Sequence, residues 1–203
     1  MNTKLVRLFA IFGIFAPIFG LFIIFTSITI APSFHWDKNA ISDLGVGGFE
    51  AVFFNAGMGM TAAVSLLFSA CLFEYSRESN IGMVGASIHL VGSFCILGIG
   101  IANKSVEPWH LVAAIGLFVC MPLSTIVMGF YQFKRGDRIL PILATFCVLI
   151  SLCVWFIKWP SIAIPEMISI LSMTLWQISL ANWIRDKTRD SEPSIVGINP
   201  END

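Results

Sequence analysis

Six long apolar runs limit what this chain can become more than any other feature. A transmembrane helix needs about 20 mostly apolar residues, and such runs lie near residues 8–30, 49–73, 81–101, 110–133, 139–158 and 163–184. Only 12% of the 203 residues are charged and 56% are hydrophobic, whereas a soluble domain carries about a quarter charged. Too few polar residues remain to build a soluble shell. The expected fold is therefore all-α: a polytopic six-transmembrane-helix bundle over residues 1–184, followed by a polar, disordered tail over 185–203 rich in Pro, Ser, Asp and Asn. Apolar residues continue for about 23 positions in the first run, past the 7 to 15 of a signal h-region, so it reads as a span and not as a cleaved leader.

Lys and Arg divide unequally between the two sides of these spans. Lys4, Arg7, Arg77, Lys134, Arg135, Arg138, Arg185, Lys187 and Arg189 fall on one side, and only Lys38, Lys104 and Lys158 on the other. The positive-inside rule then places both termini in the cytoplasm and the first loop outside, with the cell membrane as the expected location. Trp36, Trp109 and Trp159 mark outer ends of spans, where an indole sits between lipid and headgroups. With a net charge of -1, nothing invites nucleic acid.

Cys71, Cys95, Cys120, Cys147 and Cys153 lie within apolar runs, odd in number and without C-x-x-C spacing, and read as core or lipid-facing thiols. Gly, Ala and Ser crowd the second and third runs, which makes those helices the candidates for the tightly packed centre of the bundle, because small residues let membrane helices approach closely. Phenylalanines in the first run suit a lipid-facing surface. His89, inside the third run, suits a helix-to-helix hydrogen bond.

Polar residues gather at the outer face: His35, Asp37, Asn39, Ser42, Asp43, Glu50, Asn55, Glu107, His110 and Glu166. Read as a helix at about 100° per residue, "HWDKNAISDLG" puts His35, Lys38, Asn39, Ser42 and Asp43 on one arc and Trp36, Ala40, Ile41 and Leu44 on the other. That is a short amphipathic surface helix in the first outer loop, its polar arc facing either water or the bundle mouth. Asn55 lies about 7.5 Å deeper than Glu50 by helix rise and is expected to face the interior, since a polar group at membrane depth needs a partner. His35, Asn39, Ser42, Asp43, Glu50, Asn55, Glu107 and His110 are the candidate ligand-binding residues.

The string "NAISDLGVGGFEAVFFNAGMGMTA", residues 39–62, resembles the prokaryotic six-helix membrane family catalogued as domain-of-unknown-function family 998. It is more distantly similar to the eukaryotic FRAG/DRAM/Sfk group, in which "ISD-x-G", an acid and a Phe-to-Asn pair occupy the same place. Here these are Ile41, Ser42, Asp43, Gly45, Glu50, Phe54 and Asn55, with Phe and Asn closer together than in that group, and His110 also fits. The resemblance implies a six-helix bundle and assigns no activity. Its eukaryotic relatives' association with lipid remodelling, lipid-anchor processing and autophagy implies lipid as the ligand.

Three functions are compatible with this pattern of residues. The first is binding of a lipid headgroup or small polar ligand in an outer-face pocket. Second comes a membrane-embedded lipid hydrolase or acyltransferase, with a metal held by His35, Asp43, Glu50 or His110, or with Ser42 as nucleophile; no H-x-x-x-H or H-E-x-x-H pair supports a metal. A transporter ranks third, since His89 is nearly the only ionisable group at mid-depth. Membrane lipids are the expected partners; no cofactor or oligomeric state is assigned.

Overall fold

The computed structural model describes residues 2–189. Six helices cross the molecule: α1 (Thr3–Ile30), α2 (Phe49–Ser76), α3 (Asn80–Ile101), α4 (Trp109–Lys134), α5 (Ile139–Cys153, extended by a 3-10 turn, Val154–Phe156) and α6 (Ala163–Arg189). All six are long and apolar enough to span a bilayer, with the α5 span counted through Phe156. No strand occurs among the described residues. Helices are what hydrocarbon allows, since each backbone N–H and C=O must find its partner within the segment.

Each helix packs against its neighbours in the chain, and α6 returns to α1, so the six form a closed ring. Connections 31–48, 102–108 and 157–162 meet at one end, called here the loop end. The opposite end carries Thr3 and Arg189. α6 continues as helix through Arg189, five residues beyond the expected end of the last span at 184; the remainder of the expected tail lies outside the described residues.

Small residues set the spacing of the ring wall. A Cβ on Gly57 of α2 would come within 2.5 Å of Ile23 on α1, and one on Gly100 of α3 within 2.8 Å of the Asn55 carbonyl oxygen. The glycine-rich runs therefore do give close helix contacts, but as adjacent staves and not as a central helix. Facing lipid, α1 exposes Phe15, Phe22 and Phe25, as its composition implies. All five cysteines are free thiols.

At the end opposite the loops, aromatic residues close the ring. Tyr75 packs edge-on against Tyr131 and Trp183, its hydroxyl donates to Gln132 Oε1 at 3.2 Å, and the Arg135 guanidinium lies 4.9 Å from the Tyr75 ring centroid. Arg135 also donates to the Tyr131 hydroxyl at 3.0 Å. These contacts combine ring packing with cation–π attraction at a partly desolvated site.

Gly57→Val should lower thermal stability by the ~1–3 kcal/mol typical of overpacking, whereas Gly59→Ala, whose Cβ would meet nothing within 4 Å, should leave it nearly unchanged. Thermal unfolding of the two variants in detergent checks the contrast.

Candidate functional site

The first loop is less helical than its amphipathic pattern suggests. Only Ile41–Gly45 forms a helix, of 3-10 type, and the segment before it is a series of turns. Local side-chain bonds explain the difference: Asn39 Oδ1 accepts from the His35 amide at 2.8 Å, and Asp43 Oδ2 accepts from the Ala40 amide at 2.9 Å and from Asn39 Nδ2 at 3.1 Å. Asn and Asp offer the backbone these alternatives to a continuous helix. Ile41 and Leu44 still turn inward and are buried against the bundle.

All three connections at the loop end are joined through this segment. Lys104, from the α3–α4 connection, forms an ion pair with Asp43. The Ala163 amide, opening α6, donates to the Asn39 carbonyl at 3.0 Å, and the Ser161 hydroxyl donates to the Trp36 carbonyl. From below, Asn55 Nδ2 donates to the Gly45 carbonyl at 3.0 Å. Glu166 of α6, 7% exposed, accepts from the Ile41 amide at 2.6 Å. Burial pushes the Asp43 carboxyl up, but the bonds from Lys104, Ala40 and Asn39 outweigh it and hold the group below its ordinary 3.8.

The eight candidate residues thus separate. Asn39, Asp43 and Glu50 line one recess of about 30 Å³. Ser42 is half-buried beside Asp43, and Asn55 sits under the loop. His35 and Glu107 are exposed, the latter accepting from the Leu111 amide at 3.3 Å. His110 is buried, with Nδ1 2.8 Å from the Ala102 carbonyl oxygen. Neither histidine lines the recess. Among the described residues no three His, Cys, Asp or Glu side chains are grouped to hold a metal. Glu166 belonged with the outer polar groups but not with the candidate site, because nothing in its sequence context ties α6 to the first loop.

Inside the ring lies a cavity of about 110 Å³ lined by residues of all six helices, among them Gly20, Thr61, Ile96, Met121, Ser151 and Ser169. A smaller void of about 20 Å³ adjoins it, sharing Met121, Met173 and Gln177 and reaching His89. Pro17 of α1 also lines the larger cavity. Lacking an N–H, Pro17 leaves the carbonyl of Gly13 without its helical donor, and Gln177 Nε2 supplies one at 3.2 Å.

That bond orients a polar chain. With its nitrogen committed to Gly13, Gln177 turns Oε1 toward His89 Nε2 at 3.4 Å. The imidazole therefore carries its proton on Nε2, and Nδ1 accepts from the Ser69 hydroxyl at 2.8 Å. Ser65 and Ser93 continue the chain at 2.7 Å. Ser65 and Gln177 border the cavity, so its polar rim is built from neutral hydroxyl and amide groups. His89 does make the helix-to-helix bond expected of it. The chain itself escaped sequence reading; a proline in one span and a glutamine in another were its only signal, and nothing in the sequence pairs them.

The family model described as "Protein of unknown function (DUF998)" matches residues 9–183. No curated protein and no solved structure matches the chain.

Two measurements test the loop junction. Glu166→Leu should cost ~1–3 kcal/mol by leaving the buried Ile41 amide unpaired, while Glu166→Gln, which keeps an acceptor oxygen, should cost less; thermal unfolding separates them. Because the folded-state Asp43 pKa is depressed, its contribution is complete above the ordinary carboxyl value and is lost as pH falls through the lowered one. Hydrogen exchange at the Ala40 amide should therefore speed up, relative to its intrinsic rate, as pH falls below about 4, and Asp43→Asn should show the faster exchange already at pH 7.

Proposed function

The chain belongs to the DUF998 family, and we propose that this integral membrane protein is a binding protein for a neutral lipid or small amphiphile. The observation that carries this reading is the cavity lined by all six helices, apolar apart from hydroxyls and the Gln177 amide. No charged side chain lines it, and an ionised ligand there would lack a compensating partner. A neutral molecule with one hydroxyl or carbonyl matches it: an apolar body between Gly20, Ile96 and Met121, and a polar group toward Ser65 or Gln177.

The first loop is the natural cover. Topology by positive charge puts it on the extracytoplasmic side, and lifting it would exchange its polar bonds to Lys104, Asn55 and Glu166 for water and uncover Ile41 and Leu44, which are buried against the bundle. Asn39, Asp43 and Glu50 then form the rim at which a headgroup meets the protein. This moves the expected ligand from the mouth to the interior and keeps the outer residues as the gate. The motif resemblance of residues 39–62 to lipid-associated eukaryotic proteins, read from the sequence alone, is what suggests lipid as the chemical class.

A lipid hydrolase or acyltransferase is the second reading, favoured by one geometry. Ser69 donates to His89 and His89 to Gln177, an order that activates a nucleophilic hydroxyl. Against it, Ser69 is fully buried and lines neither interior void, so a substrate carbonyl has no place beside it. Transport has no comparable feature in its favour.

Thermal unfolding in detergent with an added neutral amphiphile of matching size, a short- or medium-chain alcohol, should show stabilisation, about 2.7 kcal/mol at a hundredfold excess over Kd. Thr174→Phe, which fills the cavity from α6, should abolish that stabilisation without lowering the stability of the protein alone. Absence of stabilisation by any neutral amphiphile would sink the reading; retention of it in Thr174→Phe would place the ligand elsewhere.

A further inference from the structure

At the end opposite the loops, α1 and α6 enclose a groove of about 490 Å³ lined by Lys4, Arg7, Leu8, Ile11 and Arg185. Lys4, Arg7, Leu8 and Ile11 follow i, i+3, i+4, i+7 spacing, so they form one stripe down α1. Arg185 faces that stripe across the α1–α6 seam. Arg7 and Arg185 are half-buried and Lys4 is exposed, which places three cations around one opening at the level where a span leaves the bilayer. Asp186, the nearest acid in sequence to Arg185, is turned to Arg189 at 3.8 Å.

Below the cations the stripe continues without a polar interruption. Leu8, Ile11, Phe15, Ile18, Phe22 and Phe25, alternately three and four residues apart, are 44% to 62% exposed. Helix rise makes the run from Leu8 to Phe25 about 25 Å long, close to the thickness of the hydrocarbon core. A cationic pocket at one end of a span-length apolar track has the shape of an anionic phospholipid, phosphate above and acyl chain below.

We infer that this groove is a binding site for an anionic phospholipid, its phosphate held by Lys4, Arg7 and Arg185 and one acyl chain lying along the exposed stripe of α1. Arginine suits phosphate through its fork of donors, and basic pockets between spans are fitted to anionic headgroups. The positive-inside expectation would set this groove in the cytoplasmic leaflet, where such lipids concentrate. A second copy of the chain is the poorer occupant. Parallel packing of two α1 stripes would bring six cations together, and the stripe offers Phe, Leu and Ile where tight helix pairs use small residues.

Native mass spectrometry of the full chain in detergent, titrated with phosphatidylglycerol or phosphatidylcholine, tests this. Tighter binding of phosphatidylglycerol, by more than tenfold, is expected, and each of Lys4→Gln, Arg7→Gln and Arg185→Gln should weaken it roughly fivefold. Arg77→Gln, at the same end but outside the groove, should have no effect. Equal affinity for the two lipids would overturn the site, as would an Arg77→Gln loss equal to the groove variants'. Stabilisation by inorganic phosphate matching that by phosphatidylglycerol would overturn the lipid assignment. So would a lipid-independent dimer broken by Phe15→Ala.

Discussion

Hydrocarbon offers no hydrogen-bond partner, so in this chain most polar groups within the spans satisfy themselves along their own helix or are met by another helix, Ser27 Oγ, Asn55 Oδ1 and Gln132 Nε2 being exceptions among the described residues. The bond from Gln177 to the Gly13 carbonyl shows how far that constraint reaches. Pro17 frees the carbonyl; Gln177 answers it from α6 and so ties the last helix to the first. The same amide then turns its oxygen to His89, which sets the imidazole tautomer and the direction of the Ser69 bond. One proline in α1 is thus linked, group by group, to a polar chain reaching α3 and bordering the interior cavity. The same contact thus adds a polar bond to the packed α1–α6 seam that closes the ring and borders the cavity.

The loop end follows the same economy in a wetter setting. Several polar residues there that seemed free to bind a ligand hold the molecule together. Asp43 receives Ala40, Asn39 and Lys104; Asn55 holds Gly45; Glu166 receives Ile41; His110 meets Ala102. What results is a loop tied to the other two connections by polar bonds and to the bundle by the buried Ile41 and Leu44 side chains.

How legible this was varied with the range of the interaction. Five of the six helices begin within two residues of the positions read from hydropathy; α1 begins five residues early and α6 ends five late, since helix formation depends on local sequence and on the absence of water. The lipid-facing role of Phe15, Phe22 and Phe25 was equally visible. Asp43 and Asn39 stood out in the sequence, but their part in holding the loop did not, because a capping carboxylate and a ligand-binding carboxylate look alike until their partners are known. Glu166 and Lys104 are 123 and 61 positions from Asp43 and share no pattern with it. The amphipathic arc drawn for His35 to Gly45 failed over its first half because Asn39 and Asp43 bond to nearby amides in preference to a helical ladder.

By itself, the sequence determined the number of spans, their lengths, the uneven placement of cations and the concentration of polar groups at one end. Each of these is a property of composition along a segment, and composition alone decides how a segment partitions between water and lipid. Tertiary structure decided that the spans close into a ring, that a cavity is left within it, and that Gln177, His89 and Ser69 join in one chain while Lys4, Arg7 and Arg185 share one groove. Those are contacts between residues far apart in sequence, and they exist only once helix packing has chosen which faces meet.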